Sequence, residues 1–151
     1  MNETNQDIAS AFEVGLVIGV TSPEEVVAWA DSVVGNSEYP AAWIIPIALA
    51  QENDRLALLK LLRVVPKADN EIMRWCLIAE AVISALDLKA SSLRTVSMAL
   101  SHCYLQESVT AELAHFEARY EACDSGEADW QTVDDAFLKY LQESITRARL
   151  D

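Results

Sequence analysis

An all-α fold is predicted by three observations. Apolar residues recur at three- and four-residue steps almost throughout, without the sustained alternation that a half-buried strand requires. Only four Gly and four Pro punctuate the 151 residues. Cap residues stand just ahead of several apolar runs, and the breaks between runs are short. At this length and 52% hydrophobic content, the chain can bury a core without disulfides or metals. The expectation is a single all-helical domain over residues 1–151, a multihelical bundle or short α-solenoid of seven or eight helices. No sequence repeat near the known solenoid periods separates these two arrangements.

The first helix runs from about Gln6 to Ile18, with Ile8, Phe12 and Leu16 on one face. Gly15 and Gly19, spaced as GxxxG, permit a close crossing or end the helix. Ser22, Pro23, Glu24 and Glu25 mark the next start. Ser22 can accept from an orphan backbone N–H, Pro23 suits a first position that needs no donor, and Glu25 completes a capping box. This helix reaches about Val34 and stops at Gly35, burying Val26, Val27, Trp29, Ala30, Val33 and Val34. After a turn from Asn36 to Pro40, the uncharged segment Ala41 to Leu49 reads as a central, interior helix kinked or started by Pro46.

A fourth helix, about Asp54 to Val65, directs Leu56, Leu59 and Leu62 to the core. Lys60, Arg63 and Lys67 share a face if that helix reaches Lys67, which Pro66 opposes; cations near a helix C-terminus also complement its dipole. Asp69 or Asn70 caps a long helix to about Leu88, with Ile72, Trp75, Cys76, Ala79, Val82, Ile83 and Leu86 in a seven-residue rhythm. Ser91 or Ser92 starts another, turning Leu93, Val96, Leu100 and Cys103 inward. Ser108 begins a helix carrying Val109, Leu113, Phe116 and Tyr120. The break at Asp124, Ser125 and Gly126 leads to a last helix from about Asp129, with Trp130, Val133, Phe137, Leu141 and Ile145 inward and Arg147 and Arg149 near its end.

Charge is the second strong pattern. The net charge is -13, and no Lys or Arg precedes Arg55, whereas nine acids do. A second acidic block, Glu107 to Asp135, is relieved only by Arg119. Such a surface repels nucleic-acid phosphates and anionic lipid heads, so neither is an expected partner, and basic partners are favoured. A membrane span needs about 20 apolar residues; the uncharged run from Tyr39 to Gln51 is shorter. No basic n-region or apolar core of a signal peptide is present, and Cys76, Cys103 and Cys123 are odd in number and unpaired by spacing. Together these point to the cytoplasm and to reduced thiols.

Chemistry-bearing motifs are few. Glu112 and His115 match the ExxH spacing of carboxylate-bridged di-iron bundles, but those use a second ExxH, and His102 has no Glu three residues before it. His102 and Cys103 point about 100° apart on a helix and chelate poorly together. Cys103 with either histidine could form a nucleophile and base, but only spatial contact would activate the thiol. No phosphate-cradling loop or GxSxG is present. No catalytic residue, metal or cofactor is therefore expected. The acids are the candidate site: Glu117, Glu121 and Asp124 form a like-charged stripe, followed by Glu127, Asp129, Asp134 and Asp135. Either they solvate the surface or they dock a basic partner, whose approach their field would accelerate. Trp130, within this segment, is read first as a core residue and second as an interface anchor.

The segment Gly15 to Val34, GLVIGVTSPEEVVAWADSVV, resembles small all-helical bacterial proteins of the immunity type, which neutralise antibacterial toxins. It shares with them an apolar helix, a capped SPEE turn and a VxxWAD helix. The resemblance implies a toxin inhibitor; the helical pattern, the missing catalytic constellation and the acid blocks point to a non-catalytic protein that would offer acidic side chains to a basic cognate toxin. A helical scaffold or adaptor that self-associates, for instance as a homodimer, is the alternative. A metal protein or enzyme using Glu112 and His115 is the third possibility.

Overall fold

The computed structural model describes residues 3–67, 69–87 and 92–150. Eight helices and no strands occur among them: α1 (Asn5–Ile18), α2 (Pro23–Gly35), α3 (Ile44–Ala48), α4 (Arg55–Arg63), α5 (Glu71–Asp87), α6 (Leu93–Ser101), α7 (Glu107–Asp124) and α8 (Trp130–Leu150). The expected end at Leu88 and the alternative start at Ser91 lie outside the described residues.

Local chemistry fixes most boundaries. The Thr4 hydroxyl accepts from the Asp7 N–H at 3.2 Å, and the Asp7 carboxylate accepts from the Thr4 N–H at 2.8 Å, a capping box at the head of α1. Ser22 accepts from the Glu25 N–H at 3.3 Å, with Pro23 at the first helical position of α2, but Glu25 Oε1 accepts from the Ser22 hydroxyl at 3.4 Å rather than from its N–H, so the expected capping box is only half formed. Asp54, Asn70 and Ser92 cap α4, α5 and α6 in the same way. At the end of α1, Gly19 takes the left-handed conformation at φ 81°, and its N–H donates to the Gly15 carbonyl. Gly15 is tight for a different reason: a Cβ there would meet Thr21 Oγ1 and come within 2.9 Å of Thr21 Cβ. The close approach is thus made by the chain's own turn. Arg55 donates to the Leu16 and Val17 carbonyls, supplying the positive charge that the last turn of α1 lacks.

Packing makes α1 the shared helix. Ala9, Phe12 and Leu16 join Val26, Ala30, Ile44, Ile47, Leu58 and Leu62 in a cluster formed with α2–α4. Ala11, Val14 and Ile18 lie about half a turn round α1 and join a second cluster built from α5, α6, α7 and α8. The expectation of one apolar face on α1 is therefore corrected to two. Helix α5 runs through the second cluster with Trp75, Ile78, Ala79 and Val82. Its Met73 and Cys76 pack against Ala148 of α8. Contacts of α1 with α4, α5 and α6, and of α5 with α8, define a multihelical bundle; a solenoid would restrict each helix to its neighbours in sequence.

Three expectations about burial are corrected. Segment 41–49 is peripheral: only Ile44 and Ile47 are buried, and Leu49 is 79% exposed. Pro46 sits inside the first turn of α3 rather than starting it. Leu56 is 72% exposed, because α4 buries Leu58, Leu59 and Leu62. Ile72 is half exposed at the head of α5, facing an open cavity. Helix α4 also stops at Arg63, so Lys67 does not share its face by helical register.

Candidate functional site at the acidic end of α7 and α8

Helix α7 buries Val109, Leu113, Phe116, Tyr120 and Cys123. With about 100° per residue, Glu117, Glu121 and Asp124 fall on one flank of that stripe, and Glu112, His115 and Arg119 fall on the other. Glu127 follows in the turn after α7, and Asp134 and Asp135 lie in the first turns of α8. The acids of the candidate site differ in what they touch.

Asp124 is paired: Arg94 of α6 places Nη1 2.6 Å from its Oδ2. The same guanidinium lies 5.4 Å from the centre of the Trp130 ring, whose neighbour Tyr120 is 6.0 Å away. Trp130 is nonetheless 43% exposed, which corrects its reading as a core residue. Asp129 caps α8, accepting from the Thr132 N–H at 3.0 Å and its hydroxyl at 2.9 Å. Asp134 accepts from the buried Tyr120 hydroxyl at 2.7 Å. Burial, followed by that hydrogen bond, pushes the Tyr120 phenol well above its ordinary range. Asp135 accepts from Gln131 Nε2 at 2.7 Å.

Glu117, Glu121 and Glu127 remain. Among the described residues, their side chains make no hydrogen bond or ion pair. Glu121 and Asp124 occupy the last turn of α7, where no basic residue is present. The partial negative charge of a helix C-terminus disfavours each carboxylate by about 0.3–1 kcal/mol when exposed. The i, i+4 pair of Glu117 and Glu121 adds about 0.2–0.5 kcal/mol of repulsion. Arg94 offsets this at Asp124 alone. The sequence places Tyr120 inward, as observed, but neither its bond to Asp134 nor the role of Arg94 is legible there, because these contacts join separate helices and no local spacing announces them.

On the opposite flank, Glu112 and His115 are exposed and line a cavity of about 690 Å³ with Arg119, Lys139 and Glu143. Among the described residues no three His, Cys, Asp or Glu side chains are grouped to hold a metal ion. The half-buried Cys103 thiol donates to the Ala99 carbonyl at 3.5 Å, not to a histidine, and burial raises its pKa. No helix among the described residues is long and apolar enough to cross a membrane. Comparison with known proteins returned no matching family model, curated protein or solved structure.

Proposed function

We propose that this chain is a non-catalytic protein-binding module that receives a basic partner on the acidic flank of α7 and the turn into α8. In its specific form, it is a cytoplasmic immunity protein that occludes a basic, toxin-like partner. One observation carries the reading: Glu121 closes α7 against its dipole and, like Glu117 one turn before it, makes no ion pair among the described residues, while the half-exposed Trp130 stands at the head of α8. Carboxylates held where local electrostatics oppose them are better accounted for by an incoming cation than by helix stability. An exposed aromatic stacked on Arg94 gives such a partner a rigid apolar contact. Co-expression with the products of neighbouring genes, followed by affinity purification at low ionic strength, tests it. A basic protein that co-purifies and is released by salt is expected; retention of none contradicts the proposal.

A second reading has its own observation. Ile45 lies exposed on α3, Leu49 just after it and Leu56 at the head of α4. A self-associating scaffold would cover such residues. Light scattering separates the readings, since a salt-insensitive homodimer favours the scaffold and a monomer favours the acidic docking surface.

A further inference from the structure

A cleft of about 400 Å³ opens where α1, the α4–α5 connection and the residues after α6 converge. Cationic side chains crowd it: Arg63 closes α4, Lys67 follows in the connection, and Arg74 rises from the first turns of α5. Two of the three cations noted together in the sequence thus meet again here, brought together by the chain's turn rather than by helical register. The cleft also contains Glu13 and Glu71. Glu13 is engaged by Arg63 at 3.6 Å, but no carboxylate lies within 4.0 Å of Lys67 or Arg74 among the described residues. With Arg63 and Glu13 paired, Lys67 and Arg74 outnumber Glu71 in the cleft, an excess of positive charge unexpected in a chain with 24 acids against 11 basic residues.

Arg74 supplies the second observation. Its Nη1 donates to the Tyr104 carbonyl at 3.0 Å, which fixes the guanidinium at the cleft wall. Its Nε is buried and has no hydrogen-bond partner. A guanidinium carries five donors in a planar fork matched to two oxygens of one anion; Nε is closed off within the protein, so it is the terminal nitrogens of Arg74 that would meet an anion in the cleft the residue lines. Ser10 adds a hydroxyl on the α1 side, while Leu62 and Leu105 provide apolar walls. Cations on one side and apolar surface on the other suit a small molecule with a phosphate head and an apolar body.

We infer that the cleft between α1, α4 and α5 is an anion site for a phosphate monoester of metabolite size, held by Arg74 and Lys67 with Arg63 at its edge. It is separate from the acidic surface of α7 and α8. Titration of the purified chain with inorganic phosphate and with phenyl phosphate, followed by amide NMR and thermal melting against potassium chloride of matched ionic strength, tests it. Saturable shifts at Ser10, Tyr104 and Leu105 are expected, with phenyl phosphate binding more tightly than inorganic phosphate. Lys67→Gln, an exposed substitution outside any helix, should weaken binding about tenfold, equivalent to about 1.4 kcal/mol, without changing the fold. Arg74→Gln should abolish it. Shifts no larger than those in chloride would overturn the inference. Binding undiminished in Lys67→Gln would do the same.

Discussion

The Tyr120 hydroxyl donates to Asp134 from within the core, so a phenylalanine at 120 keeps the ring packing and deletes one hydrogen bond. A bond to a charged acceptor contributes about 1.5–3 kcal/mol. Because Asp134 is half-exposed and regains water, Tyr120→Phe is expected at the lower end, a loss of about 1.5 kcal/mol in urea unfolding with an unchanged m value. Cys76 makes a pH-dependent prediction. Burial, with the nearby Glu80 carboxylate adding to it, pushes the thiol from its ordinary 9.0 up to about 11. The folded state therefore holds its proton where the unfolded state releases it. That contribution is fully present below pH 9 and lost as pH rises toward 11. Wild type should consequently lose stability over that window relative to Cys76→Ala; a parallel pH dependence of the two proteins would refute the assignment.

Within single elements, caps were the most legible feature and burial the least. Ser22 caps α2 as expected, and Asn70 and Ser92 are the members of their expected pairs that cap α5 and α6, because a cap is a local bond between near neighbours; the expected start at Ser108 is corrected, since α7 begins at Glu107 after Gln106 with no side-chain cap. Leu56 was misread because each three-residue step falls about 60° short of a full turn. Steps from Leu62 through Leu59 therefore drift off the stripe, and Leu58 takes the buried place. The apolar segment 41–49 was misread because composition reports what a segment can bury, not how many neighbours surround it. Helix α3 meets α2 and α4 and leaves its other side open. The glycines of α1 divide by mechanism in a testable way. Gly15→Ala drives a Cβ into Thr21 and should cost about 1–3 kcal/mol. Gly19→Ala meets no neighbour but must hold φ 81°, at about 1–2 kcal/mol. Adding Thr21→Gly should rescue the first and leave the second unchanged.

For the whole molecule, α1 joins two apolar clusters that composition and periodicity could not distinguish, since opposite stripes on one helix resemble a diffuse apolar pattern. The shared helix predicts a single cooperative transition in denaturant. Leu16→Ala in the first cluster and Leu113→Ala in the second should each shift that one transition to lower denaturant, a loss of about 2–5 kcal/mol in stability, rather than expose a separate unfolding step. The acidic end was legible as charge, not as geometry: the sequence identifies every carboxylate, while Arg94 pairing and the Tyr120 bond emerge only on folding. This sorting decides which substitutions can test the surface. Asp124, Asp129, Asp134 and Asp135 carry intramolecular contacts, so reversing them would perturb the fold as well as the field. Glu117, Glu121 and Glu127 do not have that confounding role. The decisive measurement is affinity purification of the co-expressed partner on wild type and on the triple variant Glu117→Lys, Glu121→Lys, Glu127→Lys, each at low and high ionic strength. Retention of a basic protein by wild type at low salt, with loss both in high salt and in a folded triple variant, is the predicted result. A partner held equally by the triple variant, or insensitive to salt, would contradict the acidic docking surface.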